Sequence, residues 1–206
     1  MLTIGTLLPI MNPFSTAPLF LSLTMGCDPR RRHRQALLAA LYAFGLLALF
    51  LFLGTAIIDF FQISLAGIRV AGGLVISVIG MRMLFPSEGQ PSTADGQEQD
   101  LEIAFTPIAM PSLAGPGSIS VVVTASSQIK SHYAANLVAV YGGVTVGLAV
   151  TAFIAFLVLR GAGSLARLLG ASGLDAMTRI FGFLLVAIGV QFLLTGIADF
   201  YGLRAG

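Results

Sequence analysis

PIMNPFSTAP at residues 9–18 and PIAMPSLAGP at residues 107–116 each place three prolines within ten residues of an otherwise apolar run. The three prolines recur at a constant offset of 98 residues. A proline removes one backbone donor and clashes with the carbonyl four residues earlier, so three of them are hard to fit in one continuous helix. The sequence therefore predicts two helices that are broken or re-entrant, around Asn12–Pro13 and around Met110–Pro111.

The composition around these segments is that of a membrane protein. Of the 206 residues, 56% are hydrophobic and 10% are charged, whereas a soluble domain carries about 25% charged residues. Folding a soluble chain of this size leaves roughly 30% of its unfolded surface in water, so the apolar excess must face lipid. The net charge of +2 is too small to indicate a nucleic-acid partner, and the expected partner is the lipid bilayer.

Six runs are long enough to cross a bilayer, since a transmembrane helix needs about 20 mostly apolar residues. Transmembrane β-strands would alternate polar and apolar residues over about ten positions, and these runs do not. The predicted fold is therefore all-α, with six transmembrane helices at residues 2–24, 36–58, 62–85, 104–128, 134–159 and 177–200.

Basic residues set the expected orientation, because cytoplasmic loops are enriched in lysine and arginine. With the N-terminus outside, three basic residues lie on the outer side, namely Arg69, Lys130 and Arg204. The first, third and fifth connections and their flanks are then cytoplasmic and hold the other eight: Arg30, Arg31, Arg32, Arg34, Arg82, Arg160, Arg167 and Arg179. We therefore expect a multi-pass protein with both termini outside.

Two copies of one three-helix unit would explain the shared spacing. Gly45 and Gly143 keep the 98-residue offset, and Arg-x-x-Gly-x-Leu occurs at residues 69–74 and again at 179–184. An odd number of helices per copy makes the copies cross in opposite directions, an architecture that recurs among secondary transporters. The predicted organisation is one membrane domain with three-helix repeats of inverted topology at 1–85 and 104–206, joined by a polar linker at 86–103.

Broken helices offer binding chemistry without charged side chains. A half-helix N-terminus carries partial positive charge and free N–H donors that suit a carboxylate, whereas unwound carbonyls and hydroxyls suit an ammonium group. Irregular backbone at membrane depth persists only where it is buried in protein or lines a wet cavity. The alternative is that the prolines only shape packing and the hydroxyls bond their own backbone. The expected substrate-binding residues are Asn12, Pro13, Ser15, Thr16, Ser112, Gly115, Gly117 and Ser118.

Arg69 and Arg179 occupy matching positions about one turn inside their spans. A charge within a span is costly and often functional, so both are further candidate substrate-binding residues, as a gate or as a carboxylate contact. Two simpler alternatives remain open. Each side chain can snorkel to the interface, and Asp175 stands four residues before Arg179, where a helical ion pair can form.

Catalytic, cofactor and metal sites are not expected. No acidic residue falls in the middle of a span, and His33 and His132 are isolated in connections on opposite sides. We therefore predict that the chain is not an enzyme and that it binds a small-molecule substrate. The small-residue motif at Gly143–Gly147 either packs spans within one subunit or joins two copies as a homo-oligomer.

Three short segments, NP at residues 12–13, PLFLSLT at 18–24 and PSLAGPGS at 111–118, resemble signature segments of the MarC family of bacterial and archaeal inner-membrane proteins. The resemblance extends over essentially the whole chain and implies a place in the inner membrane. It also implies solute transport, because a family member is described as a transporter of small neutral amino acids. The family has no established catalytic residues, so the resemblance adds none.

We therefore expect a secondary transporter of small polar solutes, with neutral amino acids or related metabolites as substrates, that works by alternating access. A lipid-carrier flippase is an alternative that shares the inverted repeat, although recognition of a headgroup would favour more cationic residues around the cavity. A non-transporting membrane protein with a regulatory or structural role is a second alternative, and it would not require duplicated broken helices.

Overall fold

The computed structural model describes residues 2–24, 27–85, 104–132 and 136–203, and every regular element in those ranges is helical. The linker predicted at 86–103 lies outside the described residues. The elements are α1 (Leu2–Met11), α2 (Pro13–Leu23), α3 (Pro29–Phe61), α4 (Leu65–Leu84), α5 (Ala104–Leu113), α6 (Pro116–His132), α7 (Leu137–Arg160) and α8 (Ala162–Phe200).

Five described segments are long and apolar enough to cross a membrane, namely Thr3–Leu21, Pro29–Phe61, Leu65–Leu84, Leu137–Arg160 and Asp175–Phe200. The crossing predicted at 104–128 is instead divided between α5, with 10 residues, and α6, with 17. At 1.5 Å per residue, α6 spans about 25 Å, less than the roughly 30 Å of hydrocarbon. The multi-span, all-helical prediction is thus confirmed for five segments, and the six-helix inverted repeat stays a prediction.

The first break lies where the prolines predict it. Asn12 separates α1 from α2 and has a φ of 37°, a region that few residues other than glycine, asparagine and aspartate enter. Its side-chain Oδ1 accepts a hydrogen bond from the Ser15 N–H at 3.2 Å, which caps α2. The N–H of Asn12 still donates to Leu8, and the N–H of Thr16 donates to Asn12. The break is therefore a one-residue kink.

The second break lies one proline later than predicted. Helix α5 is wound as a π-helix, and just beyond its end the Ala114 N–H donates to the Ala109 carbonyl, five residues earlier, at 2.8 Å. Wide turns of this kind are rare in proteins. Because of these wide turns, the chain is still helical at Met110–Pro111, where the sequence predicted the break. The interruption falls instead at Gly115, and Pro116 occupies the first position of α6, where its missing N–H costs no hydrogen bond.

Two predicted connections are helical. Helix α3 begins at Pro29, so the arginine cluster at 30–34 forms its first turns, because proline is favoured at the first helical position and arginine is a good helix former. The connection predicted at 160–175 is largely the start of α8. That helix bends at Gly170, where φ is 64° and ψ is −179°.

Helices α4 and α8 pack backbone against backbone along glycines spaced seven residues apart. A Cβ atom added to Gly73 would lie 2.6 Å from the Gly189 carbonyl oxygen, and one added to Gly80 would lie 2.6 Å from that of Gly182. Gly196 continues the series against Ala66. We call this contact the glycine seam. Small residues let helices approach closely in lipid, where the hydrophobic effect does not drive their association.

Buried side chains concentrate on the broken segments. Leu7, Phe20, Ile108 and Leu113 are each at most 1% exposed. The long helices keep large apolar residues on their outer faces, including Phe52, Phe153, Phe183 and Leu194. The two breaks are therefore enclosed by protein, as irregular backbone at membrane depth requires.

One of the two glycines in the small-residue motif at 143–147 packs against another helix of the same chain. A Cβ atom on Gly147 would meet Thr3 of α1 at 2.9 Å, whereas one on Gly143 would meet nothing within 4 Å. Gly147 therefore packs α7 against α1. The homo-oligomer stays a prediction.

Candidate functional site

A cavity of about 280 Å³ lies where the two breaks meet. Six of the eight residues predicted from the breaks line it, namely Asn12, Ser15, Thr16, Gly115, Gly117 and Ser118. Its apolar wall comes from α1, α2, α4 and α8 and includes Ile10, Leu19, Ile76, Ile79, Met83 and Leu185. We call it the break cavity. Its volume is near the lower limit of about 300 Å³ for small-molecule pockets.

The hydroxyls of the break cavity divide into bonded and free groups. Thr16 Oγ1 donates to the Asn12 carbonyl at 3.2 Å, and Ser118 Oγ donates to the Leu113 carbonyl at 3.1 Å. These two bond nearby backbone, as one alternative anticipated. Ser15 Oγ is buried and has no hydrogen-bond partner among the described residues. Because a buried hydroxyl without a partner costs about 1–3 kcal/mol, Ser15 is the side chain with most to gain from a bound polar solute.

Backbone groups add to the polarity of this cavity. The Ile119 N–H donates to the Gly115 carbonyl at 3.0 Å, so the N–H groups of Gly117 and Ser118 lie in the first turn of α6, which has no helical carbonyls to offer them. Pro13 cannot donate to the Pro9 carbonyl in α1. Donors at the start of α6 therefore lie beside the second break, whereas Pro9 is not among the described residues that line the cavity.

No charged residue lines the break cavity within the described ranges. Its polar character comes from hydroxyls, one amide and helix ends. An isolated ion would be poorly compensated in such a site. A neutral or zwitterionic solute matches it, because the partial charge at a helix N-terminus suits a carboxylate.

Four predicted site residues are not among those that line this cavity. Pro13 is buried at the start of α2, and the side chain of Ser112 lies outside the described part of the structure. Arg179 is exposed and pairs with Asp175 at 2.9 Å, the simpler alternative for that residue. Arg69 lines a different cavity.

That second cavity has a volume of about 460 Å³, and we call it the Arg69 cavity. Of its lining hydroxyls, Thr124 Oγ1 is buried without a hydrogen-bond partner among the described residues. Sequence reasoning missed most of this site, although polar residues four apart within apolar helices were a usable signal. Its polar lining residues are Thr3, Thr6, Arg69, Thr124, Gln128, Gln191 and Thr195.

The two cavities follow one another along the same helices. On α1 the Arg69 cavity reaches Leu7 and the break cavity begins at Ile10. On α6 the break cavity ends at Ser118 and the Arg69 cavity begins at Val121. Between them lies a layer of buried apolar side chains, in which Leu7, Ile76 and Leu185 are each at most 2% exposed. The polar path through the protein is therefore interrupted by one apolar layer.

An ion pair between Arg69 and Asp199 joins α4 to α8 at the far end of the Arg69 cavity. Its two members differ in burial, because the arginine side chain is 9% exposed and the aspartate side chain is 43% exposed. Loss of a partner therefore affects the two charges unequally. A buried charge left alone is costly, whereas a half-exposed carboxylate keeps much of its hydration.

We expect Asp199→Asn to lower the stability of the protein by about 1–3 kcal/mol, because it leaves the buried Arg69 guanidinium uncompensated. Arg69→Gln should cost less, because the half-exposed Asp199 carboxylate that it leaves behind keeps much of its hydration. Melting curves of the purified protein in detergent measure both values. The double variant should melt close to Arg69→Gln. Equal losses in the two single variants would contradict this reading of the pair.

Comparison with known proteins identifies relatives over the whole chain. The family described as "MarC family integral membrane protein" matches residues 1–201. The chain is 39% identical over 202 residues to the UPF0056 inner membrane protein MarC of Escherichia coli (strain K12), covering 94% of this chain and 91% of the relative. The protein of the same name from Shigella flexneri shows the same identity and coverage. No solved structure matches the chain.

Proposed function

The chain belongs to the MarC family of integral membrane proteins, and from this membership and its cavities we propose that it is a secondary transporter of small polar solutes. The observation that carries the proposal is the break cavity, where two interrupted helices meet around the unpartnered Ser15 hydroxyl. A polar chamber at two helix breaks inside an apolar protein is a recurring design of transporter binding sites.

Neutral amino acids are the substrate class that the cavity favours. The N–H groups of Gly117 and Ser118 in the first turn of α6 suit a carboxylate, and the Ser15 hydroxyl suits an ammonium group. The lining itself carries no formal charge within the described ranges. A zwitterion with a short side chain satisfies both ends and leaves no net charge buried.

Alternating access follows from the two stacked cavities. With both termini outside, as the basic residues predict, the break cavity lies toward the cytoplasm and the Arg69 cavity toward the exterior. The Arg69–Asp199 pair then joins the outer ends of α4 and α8 beside the Arg69 cavity. Movement of the broken helices past the apolar layer would connect the cavities in turn.

A lipid-carrier flippase fits the site less well. Recognition of a phosphorylated headgroup calls for cationic side chains, and the described lining of the break cavity contains none. Its volume of about 280 Å³ also suits a small solute better than a lipid carrier. A non-transporting role leaves the unpartnered Ser15 hydroxyl unexplained.

The test is uptake of radiolabelled neutral amino acids into proteoliposomes by the wild type and by Ser15→Ala. Removing an unpartnered hydroxyl should leave the melting temperature unchanged or raised. Apparent substrate affinity should fall by about 2- to 10-fold, the value of one hydrogen bond. A lower affinity with an unchanged melting temperature indicates a lost substrate contact, because a folding defect would lower the melting temperature as well.

Thr151→Val is the matched control, because its buried hydroxyl donates to the Gly147 carbonyl at 2.8 Å and lines neither cavity. It should lower the melting temperature and leave substrate affinity intact. Uptake by the wild type no faster than by empty liposomes, across the neutral amino acids, would refute the proposed substrate class. An unchanged affinity in Ser15→Ala would remove the break cavity as the binding site.

A further inference from the structure

A second charged feature lies at the end of the molecule where α3 and α8 begin and α7 ends. It is an open basin of about 740 Å³. Its wall combines the start of α3 with the junction of the consecutive helices α7 and α8, which is far from α3 in sequence. The lining residues are Pro29, Arg30, Arg32, His33, Arg160, Gly163, Ser164 and Arg167. We call it the basic basin. Enrichment of arginine on the cytoplasmic side explains the charge there. It does not explain why arginines from different helices line the same cavity.

The positive charge of the basic basin is not neutralised by the described residues. Arg32 donates to the Thr24 carbonyl at 3.1 Å, while its Nε is buried without a hydrogen-bond partner in the described ranges. Within the described part of the chain, Arg167 bonds only to its own helix, through the Gly163 carbonyl and Ser164 Oγ. Among the described residues, neither of these arginines, nor Arg30 or Arg160, forms an ion pair. Gathered cations without counter-charges attract an anion.

The basin also lies at the depth of lipid headgroups. The long apolar run of α3 begins after Arg34, and that of α7 ends at Leu159. Arg30, Arg32 and Arg160 are therefore within about two helical turns of the edge of the hydrocarbon. Arginine presents a planar fork of N–H donors that matches the oxygens of a phosphate group.

An apolar groove continues from the basin along two of its three helices, α3 and α7. It has a volume of about 280 Å³. The described residues that line it are all alanine, leucine or phenylalanine: Leu37, Ala40, Leu41, Phe44, Ala149, Ala152, Phe153 and Phe156. Phe156 packs edge-on against His33 of the basin, with ring centroids 5.4 Å apart. We call it the α3–α7 groove. A charged recess thus leads directly into an apolar channel that faces lipid.

We propose that the basic basin and the α3–α7 groove together bind one anionic phospholipid, with its phosphate among the arginines and an acyl chain against Phe44, Phe153 and Phe156. A free phosphate shares the headgroup chemistry, but it would leave the groove empty. Basic pockets beside transmembrane helices on the cytoplasmic side are a known setting for anionic headgroups. This lipid site is separate from the break cavity and does not depend on the proposed transport function.

The experiment measures lipid binding to the purified full chain in detergent, by native mass spectrometry and by thermal shift. The probes are phosphatidylglycerol, phosphatidylcholine with the same acyl chains, and inorganic phosphate. We expect phosphatidylglycerol to bind and to raise the melting temperature, and the other two to do neither at equal concentration. Equal binding of the two lipids, or stabilisation by phosphate that matches phosphatidylglycerol, would overturn the proposal.

Variants assign the lipid to this surface. The double variant Arg160→Gln/Arg167→Gln should bind phosphatidylglycerol about 30-fold more weakly, from the usual contribution of two basic residues at the surface. Arg82→Gln is the control, because this exposed arginine in the last turn of α4 lies outside the basin. Ala149→Phe should fill the exposed groove and weaken binding without removing charge. Equal weakening by Arg82→Gln, or no effect of Ala149→Phe, would contradict the site.

Discussion

Replacing Gly189 by leucine is expected to abolish the accumulation of folded protein. A Cβ atom at this position would lie 2.7 Å from both the Gly73 carbonyl oxygen and the Ser77 backbone nitrogen. Overpacking usually costs about 1–3 kcal/mol because side chains can adjust. Here Ser77 Oγ lies closer still, but the other two colliding atoms belong to the backbone of α4. We expect a cost above about 3 kcal/mol, a large fraction of the roughly 5–15 kcal/mol that stabilises a typical protein.

Fluorescence-detected size-exclusion chromatography of a tagged protein measures this effect as loss of the monodisperse peak. Gly142→Leu is the matched control, because a Cβ atom at Gly142 would meet nothing within 4 Å, and it should elute as the wild type does. Gly73→Leu should fail in the same way as Gly189→Leu, since it enters the seam from the other side. A normal peak for both seam variants would show that α4 and α8 are not in backbone contact.

Asn12→Ala is expected to have the second-largest effect, on stability and on transport together. Asn12 holds a φ of 37° and caps α2 by accepting from the Ser15 N–H. Loss of the cap costs about 1 kcal/mol, and alanine adds roughly 1–2 kcal/mol in left-handed backbone. The total of about 2–3 kcal/mol should lower the melting temperature. Uptake should fall at least tenfold, because the wall of the break cavity is displaced.

Two further substitutions separate the roles of Asn12. Asn12→Gly tolerates the positive φ and should cost only a few tenths of a kcal/mol. Asn12→Asp keeps an acceptor for the Ser15 N–H and adds negative charge at the start of α2, where the helix dipole favours it. Asn12→Gly should therefore melt near the wild type yet lose the amide that faces the cavity. If Asn12→Ala proved as stable as Asn12→Gly, the assigned backbone conformation would be wrong.

Proline spacing predicted the first helix break to the residue and misplaced the second. Asn12 precedes Pro13 and tolerates positive φ, so local chemistry was sufficient there. In the second segment the same spacing favoured a break at Pro111. The π-helix continues past that proline, and the break lies instead at flexible Gly115, just before Pro116. A π-helix depends on how α5 packs on its neighbours, which a single sequence does not reveal. The same limit applies to the helical start of α8.

The candidate site was predictable where backbone chemistry determines it. Prolines, glycines and hydroxyls near the breaks led directly to the residues that line the break cavity. The Arg69 cavity depends on faces of α1, α6 and α8 that come together only in the fold. Asp199 is 130 residues from Arg69, and no spacing rule links them. The sequence showed the arginine cluster at the start of α3. It did not show that Arg160 and Arg167 lie beside this cluster in the fold.

The glycines in the contact between α4 and α8 have no side-chain rotamers with which to adjust. Ridges of backbone interlock at Gly73, Gly80 and Gly189, so sliding by even one residue would drive Cα atoms into carbonyls. We therefore expect α4 and α8 to move together as one rigid unit. The conformational change then takes place at the single-residue breaks at Asn12 and Gly115. The distance between spin labels on α4 and α8 should be the same with and without solute. The distance between labels on the two sides of either break should differ between these two conditions.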